Sequence, residues 1–147
     1  MRVLGMNCAP RVAYLAVIED GFLDPNAPER LLAPAGLETG EGLLECIREV
    51  KRVLGQARAE HVALLMSEAT AAPSSARTEL ETLIRVAAAE EGTRVDLVAR
   101  PTVRSRLGLP RSGSLDTHIQ SGAGPESGHY WRKGRALAVM AAKAVVP

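Results

Sequence analysis

Asn7, Glu68, Asp116 and His118 are the residues whose type and setting point to chemistry. Glu68 follows the apolar run His61-Val62-Ala63-Leu64-Leu65-Met66. A carboxylate just past the end of a central strand lies where open α/β sheets place their ligands. Asp116 and His118 stand two apart in Ser114-Leu115-Asp116-Thr117-His118. Brought beside Glu68, they would make a single-metal or acid/base site. Hard divalent cations prefer anionic oxygen, so Glu68 is the first candidate metal ligand. Asn7 can offer only a neutral amide oxygen. Each residue also has a simpler explanation. Asn7 would end a strand and bond the Cys8–Arg11 turn, Glu68 would be a solvated carboxylate, and Asp116, His118 and His129 would be loop residues without a role.

Charge is unevenly divided along the 147 residues. Residues 1–93 hold 9 Lys/Arg and 14 Asp/Glu, a balance of −5, whereas residues 94–147 hold 9 and 3, a balance of +6. A basic C-terminal third suits phosphate, and Arg104, Arg106, Arg111, Lys133 and Arg135 are its candidate nucleic-acid contacts. A solvated basic surface has the same composition. Aromatic residues make up 3% of the chain, too few for an extended platform of stacked bases. No 18-residue apolar run and no basic region leading into a long apolar core are present, so a cytoplasmic protein is expected. Cys8 and Cys46 are widely spaced and read as reduced structural thiols.

The elements that must position these groups follow from periodicity. Arg2–Asn7 and Val12–Ile18 read as a strand pair around a turn at Cys8–Arg11, with Glu29–Ala33 as a third strand. A helix is expected over Leu43–Ala57, with Leu43, Ile47, Val50 and Leu54 on one face. The apolar run from His61 has the length of a parallel strand buried on both sides. Ser75 is placed to cap a helix over Ala76–Glu91. Thr93–Ala99 reads as a strand, Val103–Leu107 as a short helix with Pro101 in its first turn, and the segment from Trp131 or Arg132 as a last helix. Residues 110–130, rich in glycine and serine, read as a flexible loop. The whole is one α/β domain, residues 1–147, with three antiparallel strands followed by parallel strands and helices on both faces. It has no phosphate-loop, nucleophile-elbow or zinc-ligand spacing.

Two stretches carry a resemblance. The opening strand, Leu4-Gly5-Met6-Asn7, resembles the first strand of RuvC-type members of the ribonuclease H-like superfamily, roughly Leu-Gly-Ile-Asp-Pro-Gly. Arg111-Ser112-Gly113-Ser114-Leu115-Asp116-Thr117 resembles their Gly-x-Gly-x-Ala-Asp-Lys segment. The same opening is similar to that of sugar kinases and actin-like ATPases, but those enclose nucleotide between two such domains and have a glycine-rich turn. The resemblance implies a ribonuclease H-like fold and a nuclease site of about four carboxylates holding two Mg or Mn ions. In this sequence the family's first aspartate falls on Asn7, its strand-end acid on Glu68 and its loop aspartate on Asp116. The start of the last helix, where further acids belong, reads Tyr130-Trp131-Arg132-Lys133-Gly134-Arg135, and no Asp or Glu follows Glu126. The expectation is therefore a RuvC-like binder of DNA or RNA with a degenerate nuclease site. The alternatives are a divergent metal-dependent nuclease using Glu68 and Asp116, with Asn7 and His118 in support, and a protein-interaction domain with no nucleic-acid role. RuvC-type relatives are often dimers, which makes a homodimer the expected assembly.

Overall fold

The computed structural model describes residues 1–34, 36–66, 75–113, 115, 118 and 130–146. The strands are β1 (Arg2–Ala9), β2 (Val12–Glu19), β3 (Phe22–Leu23), β4 (Arg30–Leu32), β5 (His61–Leu65) and β6 (Arg94–Val98). The helices are α1 (Gly40–Ala57), α2 (Ser75–Glu90), α3 (Arg100–Leu107) and α4 (Ala136–Val145), the last entered through a π-helical turn at Trp131–Arg135. The sheet runs β3-β2-β1-β5-β6, with β4 also on β2. β1 is antiparallel to β2 and parallel to β5, and β5 is parallel to β6. This is the expected mixed sheet of a ribonuclease H-like fold.

Two details differ from the sequence expectation. The β1–β2 turn is only Pro10-Arg11, with Ala9 paired to Val12, so both strands are longer and Asn7 lies inside β1 opposite Tyr14. The expected third strand is present as β4, which pairs Arg30–Leu32 with Val12–Tyr14, and an additional short strand, β3, pairs Phe22–Leu23 with Ile18–Glu19. Between them the chain leaves the edge of β2 near Leu15.

Alternation sorts the sheet into two cores. Leu4, Met6 and Cys8 of β1 pack with α1 and α2, through Val50, Leu54, Leu80 and Ile84. Val3 of β1 and Ala63 and Leu65 of β5 pack with Val103 of α3 and the small-residue face of α4. Every residue of β5 is buried, as its continuous apolar run requires. α1 begins three residues before the expected start because Thr39 caps it, its hydroxyl accepting from Gly42 N at 3.0 Å. Within the segment read as a flexible loop, Leu115 is seated in the α4-side core.

Gly5 permits a close contact between strand and helix. A Cβ there would fall 1.9 Å from the carbonyl oxygen of Ala138, so α4 rests directly on the β1 backbone. Gly5→Ala must push the helix off the sheet, and a loss of about 3 kcal/mol is expected in urea denaturation.

Both cysteines are buried and unpaired, in keeping with reduced thiols. Burial pushes the Cys8 thiol up to about 12, with Glu81 adding to the shift and Arg77 opposing it. Its folded-state pKa lies above that of the unfolded chain. The stabilisation is therefore whole at neutral pH and is lost as pH rises from the ordinary thiol range toward 12. Denaturation midpoints should fall over that alkaline range, and fall less in Cys8→Ala.

Candidate functional site

The carboxyl ends of β1 and β5 and the entry to α4 converge on the α4 face of the sheet. Asn7 points to that face, 7% exposed, and its Nδ2 donates to the Gly134 carbonyl at 3.1 Å. It does not bond the Pro10-Arg11 turn, because the strand continues past it. Gly134 has φ +153°, and a Cβ on it would lie 2.5 Å from Cδ2 of Tyr14 and 3.0 Å from Nδ2 of Asn7. Only glycine fits where the turn crosses the tyrosine ring.

Arg135 turns inward and is 1% exposed. Its Nε donates to the Leu15 carbonyl at 2.9 Å, and its Nη1 lies 3.5 Å from Oε1 of Glu29. On this edge of β2 the Leu15 N–H donates to the Glu29 carbonyl at 2.9 Å, but the gap between β4 and β3 leaves the Leu15 carbonyl without a ladder donor. A long side chain from the opposite end of the sequence reaches in to meet it. Burial lowers the Arg135 pKa and Glu29 raises it; a guanidinium stays charged even so. As a nucleic-acid contact Arg135 is thus corrected to a buried structural cation.

Two more of the expected basic contacts serve the fold. Arg104 donates through Nη1 to the Pro110 carbonyl at 2.9 Å and through Nη2 to that of Gly113, holding the chain after α3. Arg106 Nη1 donates to the Ala144 carbonyl at 2.7 Å and joins α3 to α4. Arg111 and Lys133 are exposed. Arg104 and Arg111 also line an open groove of about 640 Å³ against α3, together with Pro101, Ser105 and Leu109.

Of the acid/base candidates, His118 is half-buried, while Glu68, Asp116 and His129 lie outside the described residues. Among the described residues no group of three or more His, Cys, Asp or Glu is placed to hold a metal. A neutral amide donating to a carbonyl, with a buried arginine behind it, does not fit the two-metal set that the resemblance implies. The described residues therefore offer no step through a metal.

Sequence reasoning missed a row beside Asn7. Asn7, Tyr14 and Arg30 are in register across β1, β2 and β4, and side chains so placed share a face. The Tyr14 and Tyr130 ring centroids are 6.3 Å apart, tilted by 40°, and the Arg30 guanidinium lies over the Tyr130 ring at 4.8 Å. The signal was the two-residue turn: once Pro10-Arg11 is taken as the whole turn, Asn7 must face Tyr14.

A mixed sheet of this order with helices on both faces is the ribonuclease H-like fold. Thermus thermophilus RuvC superposes with a TM-score of 0.68 at 18% identity, over 98% of this chain and 92% of that one. T. thermophilus RuvC in complex with Holliday junction substrate gives 0.66 at 18%, over 98% and 91%. The likeness at this identity is one of fold. Comparison with protein-family models and with curated proteins gives no match. Among the described residues, no helix is long and apolar enough to cross a membrane.

Arg135→Met should cost about 2 kcal/mol in urea denaturation, because the Leu15 carbonyl loses its buried donor. Glu29→Gln, at a half-exposed side chain, should cost less than about 1 kcal/mol. A larger loss from the glutamate variant would mean that the ion pair, not the carbonyl contact, holds the turn.

Proposed function

We propose that this chain is a RuvC-like nucleic-acid-binding protein whose nuclease site has degenerated. The observation that carries this is the junction of Asn7, Gly134 and Arg135. Where the family places acids on strand one and on the last helix, this chain has an amide bonded to a carbonyl and a buried guanidinium. A fixed positive charge at that place opposes a divalent cation rather than recruiting one. The basic C-terminal third supports phosphate as the partner, and so does the Holliday junction held by a structure of the same fold. DNA or RNA would then be bound without being cut.

Electrophoretic or polarisation binding to duplex and branched DNA and RNA tests this. Affinity should fall steeply with salt, with a log–log slope near 0.9 per phosphate neutralised on a duplex. It should not need Mg²⁺ or Mn²⁺, and no cleavage should follow when either is added. Absence of binding at low salt would overturn the proposal and favour a protein-interaction role. Cleavage with Mn²⁺ that Glu68→Gln abolishes would replace it with a divergent nuclease using Glu68 and Asp116.

A further inference from the structure

The aromatic residues are few, yet Tyr14 of β2, opposite Asn7 of β1, meets Tyr130 of the turn above it. Tyr14 and Tyr130 are joined there by Arg30 into a short stack. The inner end of the stack is closed, since Gly134 is pressed against the Tyr14 ring. The outer end is Arg30, which is exposed.

Beside Arg30 the sheet surface is open. The next row on the same face is Ala9, Val12 and Leu32, in register across the same three strands. None of the three belongs to the core beneath α4. Leu32 remains 54% exposed, and Ala9 and Val12 are half-buried. A flat apolar patch thus adjoins an exposed guanidinium that already stacks on a ring.

Cations surround it. Arg11 stands at the hairpin tip with φ +65°, as the two-residue turn requires. Its carbonyl accepts from Ala33 N at 2.9 Å, which holds the tip against the chain leaving β4. Lys133 is exposed in the turn that carries Tyr130. None of Arg11, Arg30 or Lys133 forms an ion pair with a described residue. The charge here is complementary to phosphate, and no described residue neutralises it.

We propose that this corner takes an unpaired nucleobase: the base stacks on the Tyr130–Arg30 pair with Leu32 and Val12 beneath it, and Arg11 and Lys133 hold the flanking phosphates. Guanidinium planes and aromatic rings are the usual supports for splayed bases, and a single-base site needs only one or two of them. The substrate class is nucleic acid with unpaired residues, at a junction, bulge or single strand, in preference to a blunt duplex. This rests on the nucleic-acid reading above and makes it narrower.

The test is polarisation binding with two probes, a blunt duplex and the same duplex with a bulge that carries 2-aminopurine. The variants are Arg30→Lys, which keeps the charge and loses the plane, and Leu32→Ser; both side chains are exposed, so the fold is not at stake. The bulged probe should bind more tightly, and its fluorescence should be quenched on binding. Each variant should weaken that probe by about tenfold, within the range of single-base stacking, and the blunt duplex by less than about twofold. Equal loss on both probes would make Arg30 a phosphate contact and overturn the stacking site. Equal wild-type affinity for both probes would overturn it too. Binding of neither probe at low salt would overturn the nucleic-acid reading itself, an outcome distinct from both.

Discussion

The contact of α4 with β1 is the constraint on which the rest depends. A helix can lie on a strand at this distance only if neither side presents bulk. Gly5 supplies the gap on the strand, and Ala138 and Ala142 face it from the helix. The close approach brings the entry to α4 onto the end of β1, where Asn7 and Tyr14 stand. The turn cannot enter as a regular helix there. It passes over the Tyr14 ring at Gly134, whose φ of +153° lies outside helical geometry. The chain kinks at Gly134 just ahead of the tightly seated helix.

That seating decides the electrostatics of the sheet end. With the turn bonded down through Asn7, the next residue is directed into the sheet, where the gap between β4 and β3 leaves the Leu15 carbonyl without a ladder donor. Arg135 enters and reaches the Leu15 carbonyl. Partnering of this kind keeps a buried charge from being prohibitively costly. The same division recurs in the basic third of the chain. Arg104 and Arg106 serve backbone carbonyls at the end of α3 and on α4, whereas Arg111 and Lys133 face solvent. A count of charges overstates the surface available to phosphate, since several of those cations satisfy groups the fold would otherwise leave bare.

The aromatic content shows the converse. Composition argues against an extended stacking surface. Position matters more than number: two of the rings meet beside Asn7 because the hairpin register and the turn into α4 place them there, and Arg30 extends the pair outward. The sheet end combines a closed, hydrogen-bonded interior with an open, cationic and partly apolar rim.

The order of the elements, the buried character of β5, the faces of α1 and α2 and the mixed sheet were all legible in the sequence, because apolar periodicity is a local property read within one element. Asn7 as a neutral residue at a critical strand position was legible for the same reason, as was the lack of acids near α4. The directions of the polar side chains were not. Arg135 looks like a surface cation in a run of basic residues, and nothing nearby in sequence reports that β3 and β4 part beside Leu15, some 120 residues away. The additional strand β3 is set by how Phe22–Leu23 meets β2, and the alignment of Asn7, Tyr14 and Arg30 by the register of three strands. The sequence by itself determined which segments are strands and helices and which charges they carry. Tertiary structure alone decided which of those charges are buried and which rings meet, since both depend on long-range packing that places a helix on a glycine.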